Sequence, residues 1–281
     1  MVKRFISGVI VAFVLFFVLF LSYSFDFPLR ISLAFVTVLA VWEIISLKSL
    51  TKFKTVLWAS LIFSPLRCVL GSGMPWQALL YVYTILMFLT VMDTFMKNRK
   101  SKPKRKLPRI VDLCFVYVLT VIIGFALSKV VEIKEMARNP LAGVFGVLLV
   151  FALAWACDVG AYISGTGFGR NKLCPDVSPG KTVEGAVGGF LASIFFTFMC
   201  AFAFKLIFNL NINFLNLALL SILGTPIAIL GDLCFSIIKR TSHVKNFSNL
   251  IPGHGGVLDR FDSVIFTAPY VYIFLNFMPV T

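Results

Sequence analysis

Residues 141–164 read LAGVFGVLLVFALAWACDVGAYIS, and in that run Asp158 is the single charged side chain. A helix of roughly 20 apolar residues is what a hydrocarbon core of about 30 Å demands, because lipid offers no partner for an unpaired backbone amide or carbonyl. The run is apolar at both even and odd positions, so it lacks the alternation of a barrel strand. It is read as a membrane-spanning helix with a carboxylate inside it.

The rest of the chain repeats this pattern. Further spans are read at 5–24, 29–47, 55–71, 76–96, 110–128, 185–208, 214–238 and 263–279. The expected fold is therefore all-α and polytopic, with about nine transmembrane helices. Of the 281 residues 59% are hydrophobic and 14% charged, against roughly 25% charged in a soluble domain. Little polar sequence remains for a separate soluble domain. The first run follows Lys3 and Arg4 and is too long for a signal-peptide core, so it is read as a retained helix. The six cysteines stand singly with no CxxC pair or neighbouring histidine, which points away from zinc and toward reduced thiols.

Lysines and arginines set the expected orientation. The segment KNRKSKPKRKLPR, residues 97–109, holds eight basic residues and is expected to face the cytoplasm. Alternation from this loop places the N-terminus, Lys48–Lys54, Arg170–Lys181 and Lys239–Arg260 on the same side, and the C-terminus outside. The formal charge of +14 then suits anionic lipid head groups and a polyphosphate substrate. Nucleic acid is disfavoured, since most of the 31 phenylalanines fall inside apolar spans and do not interleave with a basic face.

Acidic residues cluster differently. Half of the 12 lie between Asp158 and Asp262, which divides the chain into an N-terminal membrane scaffold, 1–140, and a C-terminal catalytic membrane domain, 141–281. Glu43 and Asp93, in the scaffold, are read as buried structural or interfacial carboxylates.

Two clusters carry the chemistry. The first, WACDVGAYISGTGFGRNKLCPDVSPGKTVEGAVGG, runs from Trp155 to Gly189. An ionisable group at membrane depth usually faces a polar cavity, so Asp158 is a candidate functional carboxylate, with a buried ion pair or interhelical hydrogen bond as the alternative. Gly165, Gly167 and Gly169 follow a membrane helix, not a strand, and so fail the context of a dinucleotide fingerprint. Gly180-Lys181-Thr182 resembles the end of a P-loop, but Pro175 stands where its first glycine is required. What remains is a glycine-rich loop bearing Arg170, Lys172 and Lys181 just before a helix N-terminus, where free amides favour phosphate.

The second cluster, GDLCFSIIKRTSHVKNFSNLIPGHGGVLDRFDS, runs from Gly231 to Ser263. Asp232 precedes Lys239 and Arg240 by about two helical turns. Asp259 and Asp262 share one face if the last helix begins before Asp259. Carboxylates gathered at one interface need a cation or an arginine between them; magnesium, which takes one or two protein carboxylates plus substrate phosphates, is the natural candidate, and an Arg260-centred salt-bridge network the alternative. The turn Pro252-Gly253-His254-Gly255-Gly256 lets backbone approach a ligand. His254 in it is either catalytic or a hydrogen-bonded structural residue.

The segment from Ser236 to Asp262 resembles the signature of the phosphatidate cytidylyltransferase (CDP-diglyceride synthetase) family: Ser236, Lys239-Arg240, Lys245 and its neighbour, Pro252-x-His254-Gly255-Gly256, then Asp259-Arg260-x-Asp262. Ser178-Pro179-x-Lys181-x-x-Glu184-Gly185 is similar to the family's upstream segment. One position departs, since Asn246 stands where the pattern has aspartate. The resemblance implies transfer of a cytidylyl group from CTP to phosphatidic acid, giving CDP-diacylglycerol and pyrophosphate. It implies Mg2+, with a second cation allowed for, held chiefly by Asp232 and Asp259 and supported by Asp262 and Asp158. Lys239, Arg240, Lys245 and Arg260 are expected to hold phosphates, and His254 to orient one. Lys181 and Glu184 would close the site, with Asn246, Gly255 and Gly256 against the substrate. CTP, phosphatidic acid and membrane lipids are the expected partners, with a homodimer also considered, in a bacterial inner membrane with the site facing the cytoplasm. The rivals are a polyprenol kinase, an ether-lipid cytidylyltransferase and a transporter using Asp158 and Asp232.

Overall fold

The computed structural model describes residues 2–48, 50, 54–71, 76–100, 110–251, 253 and 255–281. Among them lie helices α1 (Val2–Ser24), α2 (Phe27–Leu47), α3 (Lys54–Leu70), α4 (Trp76–Lys100), α5 (Ile110–Met136), α6 (Pro140–Phe168), α7 (Val183–Phe208), α8 (Phe214–Thr241) and α9 (Leu258–Phe277). Between α6 and α7 sits a small antiparallel hairpin, β1 (Lys172–Cys174) and β2 (Ser178–Thr182). The fold is all-α apart from this hairpin. Its strands are too short, and too rich in Gly and Pro, to show the alternation by which a strand is recognised. His254, Pro252 and most of the basic run after Lys100 lie outside the described residues.

Five helices, α2 and α5 to α8, are long and apolar enough to cross a membrane; α1 and α4 carry shorter apolar stretches, Gly8–Ser24 and Gln77–Asp93. The remaining two described helices are more polar, α3 through Lys54 and Arg67 and α9 through Asp259, Arg260 and Asp262. Several helices outrun their apolar spans. Helix α5 continues past Ser128 because its polar last turns are paired inside the protein. Glu132 bonds Arg67 and Lys129 at 2.7 Å each, and Lys134 bonds Asp26 at 2.7 Å. Breaking such a buried pair by removing one partner leaves an uncompensated charge, which is why the network holds α3 and α5 together at this end.

Water does not drive helices together in lipid, so close packing and interhelical hydrogen bonds must do so. The α6–α7 pair shows both. A Cβ on Gly189 would stand 2.7 Å from the Cys157 carbonyl oxygen, and one on Gly185 2.9 Å from that of Ala161. Only glycine permits this backbone approach. Ser193 Oγ donates to the Leu153 carbonyl at 3.2 Å, while Thr197 and Ser221 join α7 to α8 at 2.8 Å. The opposite face of α7, with Leu191, Phe195, Phe202 and Leu206, is exposed, as a lipid-facing stripe should be.

Helix α9 packs against α2, α5, α6 and α8. Trp155 Nε1 donates to the Arg260 carbonyl at 3.1 Å and Tyr270 OH to that of Leu220 at 3.0 Å, so its start is fixed to α6 and its middle to α8. The ends of α6, α8 and α9 and the hairpin consequently converge.

Candidate active site

A cavity of about 570 Å3 opens where these elements meet. Its walls include Asp158 and Tyr162 from α6, Lys181 and Thr182 from β2, Asp232 and Lys239 from α8, Asn246 from the following loop, and Asp259, Arg260 and Asp262 from α9. Residues far apart in sequence are thus gathered because α6 and α7 cross closely and α9 begins five residues before its apolar span. Asp259 and Asp262 both lie on α9 and both are buried.

Cations and carboxylates alternate around the cavity. Lys181 Nζ lies 2.5 Å from Asp232 Oδ2. Lys239 Nζ is 2.8 Å from Asp259 Oδ1 and 3.8 Å from Asp262 Oδ2. Asp158 has no hydrogen-bond or ion-pair partner among the described residues and is exposed into the cavity from within its helix. Arg260 carries its charge to the same wall, and its Nε is buried without a partner among the described residues. Three cations therefore face four carboxylates, an arrangement that can receive a polyanion only with further positive charge or with lysines released from their acids.

Asp259 does a different job from its neighbours. Besides Lys239, its carboxylate accepts the amides of Phe247 at 3.0 Å and Gly256 at 2.9 Å, so both oxygens are engaged in folding the loop between α8 and α9. Gly255 has φ +87°, and a Cβ there would meet Asp259 Oδ2 at 2.9 Å. Asp262 Oδ1 accepts the Ser263 amide at 2.8 Å. Asp232 keeps one longer contact, from Ser236 Oγ at 3.4 Å.

Five of the expected site residues stand back from the cavity wall. Arg240 Nε donates to the Val177 carbonyl at 3.0 Å and its Nη1 to that of Val244 at 3.3 Å, tying α8 to the hairpin turn. Glu184 accepts the amides of Arg170 and Asn171 and the Asn171 side chain at 2.8 to 3.2 Å, which closes the hairpin base. Lys245 is exposed, and Gly255 and Gly256 lie behind Asp259. His254 lies outside the described residues. Thr182 contributes a feature hidden in the sequence: its hydroxyl caps α7 by accepting the Gly185 amide at 3.0 Å. Glu43, read from the sequence as a buried structural or interfacial carboxylate, is buried, but its partners were not foreseen. It is completely buried and accepts Ser248 Oγ at 2.6 Å and the amides of Val257 and Leu258 at 2.8 and 2.9 Å. Its signal was an acid at membrane depth, which by itself says only that a partner exists.

Magnesium is compatible with this wall. Its carboxylates are hard oxygen donors, and such an ion usually takes one or two of them and completes its shell with water and substrate phosphate. The carboxylates with oxygens to spare are Asp158, Asp232 and Asp262; those of Asp259 are already committed.

Known proteins resemble this chain along nearly its whole length. A family model described as "Cytidylyltransferase family" matches residues 2–278. A phosphatidate cytidylyltransferase of Bacillus subtilis is 29% identical over 282 residues, covering 98% of this chain and 97% of that protein. One from Staphylococcus saprophyticus is 33% identical over 71% of this chain and 68% of its own length. One from Haemophilus influenzae reaches 42% identity, over 52% of this chain and about half, 51%, of the relative. The match of the family model across nearly the whole chain decides the assignment: this chain belongs to the cytidylyltransferase family.

Proposed function

We infer that the chain transfers the cytidylyl group of CTP to phosphatidic acid, releasing pyrophosphate and leaving CDP-diacylglycerol in the membrane. The observation that carries this is the cavity in which Lys181, Lys239 and Arg260 stand among Asp158, Asp232 and Asp262, at the ends of membrane helices. Such a place suits the meeting of a water-soluble triphosphate with a lipid phosphate.

In the reaction, a phosphate oxygen of phosphatidic acid forms a bond to the α-phosphorus of CTP, and the bond from that phosphorus to the bridging oxygen of pyrophosphate breaks. The attacking oxygen is anionic at neutral pH and gives up no proton, so general-base catalysis contributes little. Two polyanions repel, and the protein's task is to hold them in line and offset the charge developing on pyrophosphate. Lys181 and Lys239, released from Asp232 and Asp259 by competing phosphate oxygens, supply mobile cations for that purpose, and Arg260 a fixed one. Magnesium, held by Asp158, Asp232 and Asp262, would add Lewis-acid charge where the phosphates meet. The hairpin, latched by Arg240 and closed by Glu184, keeps Lys181 over the opening.

The cavity faces the cytoplasm in a nine-crossing arrangement with the N-terminus inside. Support comes from the basic loops, which alternation puts on the side of Lys181 and Lys239.

Purified protein incubated with CTP labelled on the α-phosphorus and with phosphatidic acid, with and without magnesium, tests the activity. Magnesium-dependent, lipid-bound label with release of pyrophosphate is expected. With CTP labelled on the γ-phosphorus, transfer of a single phosphate to lipid would instead identify a kinase, and an unmodified lipid would leave a transport function.

A further inference from the structure

We propose that Glu43, on α2, is a positioning residue for the cavity wall formed by Asp259 and Arg260, acting as the N-terminal cap of α9 from another helix. The proposal rests on the cytidylyl-transfer reading above.

Helix α9 begins without a cap of its own: Val257 precedes its first residue and has no side-chain oxygen to satisfy the free amides. An uncapped helix start leaves several N–H groups unpaired, which is costly when they are buried. Glu43 supplies what is missing. Its Oε1 accepts the Val257 amide at 2.8 Å and Ser248 Oγ at 2.6 Å, and its Oε2 accepts the Leu258 amide at 2.9 Å. The negative charge also lies at the positive end of the helix dipole.

The same carboxylate constrains the loop. A Cβ on Gly256 would meet Glu43 Oε2 at 2.6 Å, and the Gly256 amide points the other way, to Asp259 Oδ2 at 2.9 Å. Residue 256 is thereby clamped between two carboxylates, Glu43 behind it and Asp259 ahead. Asp259 and Arg260 follow three and four residues after the clamp, so a shift of the helix start moves both, together with the Lys239 contact. Glu43 itself does not line the cavity. Its influence on the reaction is exerted through where Asp259 and Arg260 stand.

The test is Glu43→Gln, compared with wild type in steady-state assays varying CTP and phosphatidic acid separately, alongside the thermal unfolding midpoint of each purified protein. A glutamine keeps the volume but turns an N–H2 group toward one of the three donors. The expected result is a rise in KM for CTP of about tenfold, the scale on which supporting hydrogen bonds tune a charged site, with KM for phosphatidic acid nearly unchanged. A loss of kcat alone, with both KM values unchanged, would show that Glu43 merely sustains the fold and would overturn the proposal. So would wild-type kinetics in the variant. Should Glu43→Gln fail to fold, Ser248→Ala removes one of the three donors without disturbing the carboxylate and should raise KM for CTP in the same direction by a smaller factor; an unchanged value there overturns the proposal equally. An inactive wild-type protein would count against the cytidylyl-transfer reading itself, and then binding of CTP, measured directly in wild type and Glu43→Gln, decides the matter: weaker binding in the variant supports the proposal and equal binding rejects it.

Discussion

Lys181 of the hairpin and Asp232 of α8 form an ion pair of 2.5 Å across the cavity, with both side chains about one quarter exposed. Each comes from a different cluster of the sequence, and their contact joins the glycine-rich loop to the helix that carries Lys239. In the proposed reaction a triphosphate takes the lysine while a cation takes the aspartate.

If that exchange is part of the reaction, the two residues act as a unit. Lys181→Ala and Asp232→Asn should each lower kcat/KM by about 100-fold or more, corresponding to roughly 3 kcal/mol of transition-state stabilisation. The double variant should lose far less than the product of the two losses. Fully multiplicative effects, measured as kcat/KM with labelled CTP, would show that the contact has no bearing on turnover.

The acids should separate into two classes. Asp158 has no partner among the described residues, so Asp158→Asn should insert, fold and unfold at an unchanged or higher temperature while losing most of its activity. Asp259 organises its loop through Lys239, Phe247 and Gly256. Asp259→Asn should therefore lose stability as well as activity, because an amide N–H2 group would face a buried donor at a cost of about 1 to 3 kcal/mol. Parallel thermal unfolding of the two variants checks this. Equal stability losses would erase the distinction.

Much of this was legible in the sequence, for definite physical reasons. Long apolar runs can only be helices in lipid, so the spans from 110 onward agree with the structure to within a few residues except where buried polar residues prolong a helix, as at Glu132 and Lys134 in α5. Asp158 and Asp232 stood out because acids are costly at membrane depth, and Asp259 and Asp262 because their i, i+3 spacing puts both on one helical face. Their division of labour did not, since Asp259 and Asp262 share a helical face and differ only in which amides the loop turns toward them. Arg240 adjoins Lys239, yet one reaches the Val177 carbonyl and the other the carboxylates. Neighbours on a helix point about 100° apart, and a one-residue offset decides which side of the wall each reaches. The burial of Glu43 was anticipated but its capping role was not, because its donors come from residues that only the tertiary fold brings to α2.

The proposed arrangement, nine crossings with the N-terminus inside, makes a definite claim about sidedness. With the exposed Cys114 and Cys234 replaced by serine, Lys245→Cys should react with a membrane-impermeant thiol reagent only from the cytoplasmic side, and a reporter fused after Thr281 should be external. Lys245 is chosen because it is exposed and stands off the cavity wall. Labelling from outside would reverse the orientation and put the site out of reach of cytoplasmic CTP.

Asn246 offers the sharpest test of how the cavity handles charge. It lines the wall beside the Asp259 loop, close enough that a Cβ on Gly255 would meet its Cγ at 3.2 Å. Asn246→Asp replaces a neutral carbonyl with a carboxylate of nearly the same size. Next to Asp158, Asp232 and Asp262 that added charge favours a bound cation, and the magnesium concentration for half-maximal activity should fall by severalfold. Direct repulsion of the triphosphate would instead raise KM for CTP at saturating magnesium. The two effects are read independently, by titrating magnesium at fixed CTP and CTP at fixed magnesium. A fall in the magnesium requirement places position 246 at the metal side of the cavity. A rise in KM for CTP alone places it against the phosphates, and no change in either would mean that the loop swings away from the site when substrate binds.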